Sequence, residues 1–366
     1  MANLNISVKQ IAREALPRLI DNLVFPNLVY REVIDAPAAK MGDTVSVRCP
    51  VKLSANDFDE SEGITPETLK QNTIDVKLDH LATVDMQVGA VEAACDFDSV
   101  VTMFIEPAAA ALAEKINAEG LSLYRDIPSI VKSDSDSGAS LEDLAKAAYA
   151  LDMQKVPAGQ RNAVWHPSAS CELKQIPAVV NAEKCGSSAA LRTGSIGKVF
   201  GIDHYTSQAV ASHTSTFTGT LTADAAYTDE TAITLTPANG ATGTLAVGDL
   251  LTVGGKTVTV KSVTAGTGSK LNVTVYPAVT VSSGAVFTPV GSHTANLVFH
   301  PNAFAFITRP LAAPAGVESY VTTFNGISLR VVRGYDMKYK REMLSMDVLY
   351  AFKTVYPELA VRYDLG

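Results

Sequence analysis

Val253-Gly254-Gly255-Lys256-Thr257-Val258-Thr259-Val260-Lys261, followed by Leu271-Asn272-Val273-Thr274-Val275, is the stretch on which the fold turns. Gly254-Gly255 is a two-residue hairpin signal between β-forming runs. The flanks alternate valine with threonine, which predicts strands whose threonines face outward. The same style holds from about 215 to 292: dense Thr, Val, Gly and Ala, short alternating runs and regular turn signals. That pattern predicts a small all-β barrel or sandwich. On either side the style differs and matches itself. Asn162-Ala163-Val164-Trp165-His166-Pro167 upstream has an echo in Asn296-Leu297-Val298-Phe299-His300-Pro301 downstream. Both read as strands ended by proline within one mixed domain, so the β-rich stretch is an insertion into it.

Working outward, residues 5–23 show helical spacing through Ile6, Ala12, Leu16, Leu19, Ile20 and Leu23, interrupted by Pro17, so one long helix is not expected. Phe25-Pro26-Asn27-Leu28 and Ala36-Pro37 read as extended chain, and the whole segment as an arm that docks on something else. Val45, Val47 and Cys49 alternate with Thr44, Ser46 and Arg48. Ile74, Val76 and Leu78 do the same, and Val84, Met86 and Val88 continue the pattern. Between these half-buried strands lies an acidic stretch, Asp57, Asp59, Glu60, Glu62, Gly63, Pro66 and Glu67, making an extended hairpin with an acidic tip. Residues 103–126 carry the strongest helix, with Pro107 in its first turn and Leu112, Ile116 and Leu123 as its stripe. Ser140 caps a second helix, with Asp143 at the capping-box position and Leu141, Leu144, Ala148 and Leu151 inward. The last part alternates as strands through Ile327, Leu329 and Val331 and through Val348–Phe352, and it concentrates basic residues: Arg330, Arg333, Lys338, Lys340 and Arg341.

Composition narrows the function. The chain has 366 residues, 47% hydrophobic and 19% charged, enough apolar material for a large core. Its formal net charge of -8 argues against tight binding of nucleic acid through phosphates. In the β insertion Lys256, Lys261 and Lys270 are balanced by Asp224, Asp229, Glu230 and Asp249. Phe217, Tyr227, Tyr276 and Phe287 read as barrel core and not as a stacking platform. No apolar run spans a bilayer, and Met1-Ala2-Asn3-Leu4-Asn5 leads into a helical pattern, so a cytoplasmic product is expected.

No chemical constellation stands out. Cys49, Cys95, Cys171 and Cys185 are scattered singly and read as reduced, partly buried thiols. His80, His166, His204, His213, His293 and His300 form no compact ligand pair, and His166 and His300 read as turn or interface residues. There is no nucleophile elbow, Walker loop or dinucleotide fingerprint, and the acidic stretch lacks calcium-loop spacing. No catalytic, cofactor or metal residue is assigned.

The order of parts resembles the Johnson fold of tailed-bacteriophage major capsid proteins. The local wording adds to it: Arg192-Thr193-Gly194-Ser195-Ile196-Gly197-Lys198-Val199-Phe200-Gly201-Ile202-Asp203 and Asn296–Phe304 look like stretches of podovirus-type coat proteins, a subgroup that carries a β-barrel insertion. The resemblance implies an α+β chain divided into an N-terminal arm at 1–40, an E-loop hairpin at 41–92 and a P-domain with the spine helix at 93–149. The A-domain falls at 150–214 and 293–318 around the inserted barrel at 215–292, and 319–366 returns as C-terminal strands. It implies a structural protein and not an enzyme, with no cofactor, forming an icosahedral shell of hexamers and pentamers around double-stranded DNA without sequence-specific binding. Scaffolding and portal proteins, and a decoration protein, are implied partners, with no membrane. The location is the virion after assembly in the host bacterial cytoplasm. The insertion is expected to help fold the subunit and to make contacts on the shell surface. Asp57, Asp59, Glu60, Glu62 and Glu67 are then candidates to meet Arg330, Arg333, Lys338 and Arg341 of an adjacent copy. An encapsulin-like compartment shares the fold and stands as the alternative. A secreted adhesin is suggested only by the Thr-rich barrel, and a hydrolase has no residues to assign.

Overall fold

The computed structural model describes residues 7–31, 40–48, 73–88, 101–133, 139–181, 189–267, 269–336 and 341–365. The chain folds as two compact units, one from Met1–Leu19, Arg31–Leu112 and Phe306–Val355, the other from Ile20–Tyr30, Ala113–Ala305 and Tyr356–Gly366.

In the first unit, the 14-residue strand Arg341–Thr354 pairs antiparallel with Ile327–Asp336 and with His80–Val88, and Ile327–Asp336 pairs in turn with Glu318–Phe324. The alternation read from sequence holds, since Ile327, Leu329 and Val331 are all buried. Thr44–Arg48 and Thr73–Lys77 form the base of the expected hairpin, and Val47, Val76 and Leu78 anchor it against Ile307, Leu349 and Ala351. Its acidic tip lies outside the described residues.

Helix α1, Val8–Asn22, corrects two expectations. It runs unbroken through Pro17, and its stripe Val8, Ile11, Ala12, Ala15, Leu16 and Leu19 is buried within its own chain. Pro17 is tolerated because it sits on the exposed side, where the carbonyl its ring leaves unpaired can bond water. Val8 N donates to Glu318 Oε1 at 3.4 Å, and Arg18 Nε donates to Glu106 Oε1 at 3.1 Å. Phe25–Leu28 is a short helix and not extended chain. Asn117 receives it, its Oδ1 accepting from Val24 N and Phe25 N at 3.1 Å each. The expected long helix is a helical run of three kinds: a π turn at Val101–Ile105, α2 at Glu106–Leu121 and a 3-10 turn at Ser122–Asp126.

The second unit is built on a six-stranded mixed sheet in the order Ile130–Lys132, Ala360–Asp364, Asn296–Phe299, Arg161–Trp165, Ile202–Thr206, Gly197–Val199. The two echoing segments are neighbours, with Leu297 opposite Val164 and Val298 opposite Ala163. Each ends the same way. His166 caps helix α4, Pro167–Leu173, and His300 caps a 3-10 turn at Pro301–Ala303; each imidazole Nδ1 accepts from the backbone N–H two residues on, as the turn reading expected.

Helix α3, Leu141–Met153, covers one face of the sheet with Leu144, Ala147 and Leu151. Ala148 packs against this core as expected, Ala147 is buried beside it, and Leu141 lies on the exposed side. Ser140 and Asp143 form the expected capping box. Burial alone would raise the Asp143 carboxyl, but hydrogen bonds from Ser140 and Tyr363 hold it below its ordinary value. Cys171, on α4, is exposed and not partly buried.

From this sheet the chain leaves at Ser212-His213 and returns at His293-Thr294, and these two segments pair with each other. Between them six strands close into a barrel, in the order Leu221–Ala223, Tyr227–Pro237, Leu271–Val281, Lys256–Ala265, Leu250–Val253, Val286–Pro289. Closure removes the open strand edges that so β-rich a segment would otherwise expose. Phe217, Leu221, Leu235, Val258, Val260, Val275 and Phe287 fill it. Gly254 and Gly255 take φ of 55° and 77°, the hairpin turn expected of them.

Beneath α3, Trp165 Nε1 donates to His204 Nδ1 at 2.9 Å. Burial drives the His204 imidazole from 6.5 down to about 4. The folded state therefore binds the proton less readily than the unfolded chain. This contribution to stability is complete above pH 6.5 and is lost as pH falls through about 4. At about 1.4 kcal/mol per pKa unit it amounts to about 3 kcal/mol. Urea midpoints at pH 7 and pH 4 should fall steeply for the native chain and less steeply for His204→Phe; equal slopes would refute the assignment.

Candidate functional site: the barrel root and the exposed surfaces

The alternation of the last strand decides how the barrel is held. In Ala360–Asp364, Val361 and Tyr363 face the α3 core, so Arg362 points to the other side. There the barrel covers it completely, with 0% exposure. Arg362 Nη1 donates to Gly248 O at 3.0 Å and Nη2 to Thr259 Oγ1 at 3.3 Å, both on the barrel. Its guanidinium lies over the Tyr124 ring, 5.1 Å from the centroid. Burial pushes it down to about 9, leaving it a cation at neutral pH.

A second chain of contacts runs alongside. Tyr124 OH and His213 Nδ1 are 3.1 Å apart, and His213 Nε2 lies 2.9 Å from Asp249 Oδ1. Asp249, with 0% exposure, also accepts from Ala246 N at 2.7 Å. Thr259 Oγ1 donates to Arg125 O at 2.6 Å, and Lys261 Nζ to Asp126 Oδ1 at 2.5 Å. Gly248 sits at φ 93°, and a Cβ there would come within 2.7 Å of Arg125 Cγ, so only glycine allows this approach. The outward threonine read from the β pattern has an unexpected neighbour at Thr259. It does leave the barrel interior, but it meets Arg125 and Arg362 and not water.

Tyr, His and Asp in a hydrogen-bonded row could relay a proton. Here all three are buried, and the row joins two parts of one unit. Burial, with Arg362 and His213 nearby, also lowers the His293 imidazole and favours its neutral form. Among the described residues no three His, Cys, Asp or Glu side chains are placed to hold a metal ion.

The residues expected to join copies are placed as follows. Asp57, Asp59, Glu60, Glu62, Glu67 and Lys338 lie outside the described residues, as does the side chain of Arg341. Arg330 is engaged in its own unit: its Nε and Nη2 reach Asp347 Oδ2 at 2.9 and 2.5 Å, and its Nη1 reaches Ala312 O. Arg333 lies opposite Glu318 on the neighbouring strand. The sequence reading missed the root residues. The signal was His213 and His293 bracketing the insertion, and an arginine set between Val361 and Tyr363 in an apolar strand.

The outer strand of the second unit presents a surface of another kind. Three two-residue turns share one geometry. Gly254-Gly255 and Asn325-Gly326 fill two of them with the residues that positive φ favours. The third, between Val199 and Ile202, is Phe200-Gly201, with Phe200 at φ 49°. A bulky residue there costs on the order of 1–3 kcal/mol. Among the described residues the other non-glycine positions at positive φ are Lys155, Gln160, Asp229 and Asn325, all polar.

With this geometry in view, the chain can be compared with known proteins. No family model matches it, and no curated protein sequence does. Solved structures do. One from Mycobacterium phage Che8 superposes with a TM-score of 0.52 at 15% identity, covering 93% of this chain and 90% of that one. The capsid of cyanophage P-SCSP1u gives 0.50 at 14% identity, over 94% and 88%. The chain has the phage capsid fold. The capsid of Ralstonia phage GP4 agrees, at 0.50 and 10% identity over 92% and 87%. Identities this low speak for architecture alone, and the capsid fold is shared along nearly the full length of each chain. Among the described residues no helix is long and apolar enough to cross a membrane.

The root should be costly to disturb. Asp249→Ala leaves His213 and Ala246 N without their buried acceptor, an expected loss of about 3–5 kcal/mol in denaturant unfolding. A loss below about 1 kcal/mol would show that the root does not hold the barrel.

Proposed function

We propose that the chain is a major capsid protein, many copies of which close into an icosahedral shell around the double-stranded DNA of a tailed phage. The observation that carries this reading is the capsid fold matched over more than nine-tenths of the chain. The role in this reading is structural, and the buried Tyr124, His213 and Asp249 row serves to hold the barrel. The net charge of -8 suits a wall that confines DNA without gripping it.

Within that reading, the division into arm, hairpin, spine, A-domain and insertion gives the parts their tasks, and the barrel insertion favours a podovirus-type phage shell over an encapsulin-like compartment. Hexamers and pentamers would form with scaffolding and portal proteins, and a decoration protein could dock outside. The acidic hairpin tip, Asp57 to Glu67, would reach basic residues of an adjacent copy. Arg330, Arg333, Lys338 and Arg341 are the candidates for that contact, and Arg330 would first have to release Asp347.

Co-expression of the chain with a scaffolding protein from the same phage should give megadalton closed particles in electron micrographs. Monomers under all conditions would overturn the reading, and co-purification of a cargo enzyme would turn it toward a compartment.

A further inference from the structure

We propose that Phe200 is an assembly knob: its strained hairpin tip inserts into an apolar surface on a second copy of this chain. The inference rests on the shell reading and names one contact within it. Three observations converge. First, Asn325-Gly326 and Gly254-Gly255 place Asn or Gly at the first position of the same turn, so phenylalanine at φ 49° departs from the other two. Second, the departure is only partly repaid inside the chain, because Phe200 remains 49% exposed. Strain kept with half the side chain exposed points to a partner that completes the burial.

Third, the surroundings are those of a projecting contact. No residue from Ala190 to Gly201 is buried, Leu191 is 73% exposed, and among the described residues Gly197–Val199 is the edge strand of its sheet. The same unit carries an apolar surface of matching chemistry. Tyr149 and Met153, one turn apart on the outer side of α3, are 63% and 66% exposed. Phe200 and this pair are left exposed by the same chain, so neither covers the other within it. A knob and an apolar patch on different parts of one molecule are what a heterologous contact between copies joins, and such contacts close into rings. Methionine and tyrosine suit an aromatic insert, the thioether by contact with the ring.

The test compares full-length wild type with Phe200→Asn, Phe200→Tyr and Met153→Gln, each expressed with scaffold and also purified as unassembled subunit. Phe200→Asn should raise the unfolding temperature of the subunit by about 2 °C, because asparagine suits the turn. It should also lower particle yield by about tenfold or more, since each lost contact is repeated around the shell. Phe200→Tyr should assemble like wild type, and Met153→Gln should lose particles as Phe200→Asn does. Phe200→Asn particles at wild-type yield would overturn the proposal, as would a subunit that Phe200→Asn fails to stabilise. Full yield from Met153→Gln would overturn the pairing with α3. Failure of wild type itself to form particles would instead bring down the shell reading, and this contact with it.

Discussion

A guanidinium without water must find its partners in protein, and Arg362 finds them on a domain more than a hundred residues back along the chain. The last strand of the mixed sheet cannot bury Arg362 comfortably until Gly248 O, Thr259 Oγ1 and the Tyr124 ring are in place. The barrel, in turn, covers the far face of that strand. The two parts therefore specify each other. Apolar packing alone would tolerate a rotated or shifted barrel, whereas bonds between named atoms at hydrogen-bond distance accept one seating. Asp249 and His213 add a second fixed point beside the first, and Gly248 allows the backbones to approach closely enough for both.

Much of this architecture was legible beforehand because it is written in local patterns. The Val/Thr alternation around Gly254-Gly255 specifies a barrel wherever it is placed. Ser140 with Asp143 fixes the start of a helix, and the two His-Pro segments announce matching strand ends that turn out to lie side by side. These signals are short-range and depend little on the rest of the chain. The readings that failed depend on what a distant segment covers. Pro17 costs a helix one backbone hydrogen bond, and α1 meets that cost by turning the freed carbonyl outward to water. Thr259 points outward as alternation expects, but only Arg125 and Arg362 across the joint make that outward position a buried link.

The functional surfaces were less legible for the same reason. Arg330 reads as a free cation in a basic strand, yet Asp347 meets it across the ladder at seventeen residues' remove. Phe200 looks like an ordinary strand residue until its turn is closed by Val199 and Ile202, at which point its side chain is the wrong one for its backbone. Recognition by order of parts succeeded where motif searching had nothing to find. The fold is written in the order and shape of its parts, which leave weak traces in any single stretch of sequence.

The pairing of Ser212-His213 with His293-Thr294 has a consequence for change over time. The two strands bring the departing and returning chain to one spot, so what lies beyond them is a cassette. Its loops can lengthen, shorten or gain a new sequence while the sheet beneath keeps its strand order. The freedom stops at the base. Any replacement must still offer Arg362 a carbonyl and a hydroxyl, and a lineage that discards the cassette must discard the arginine with it.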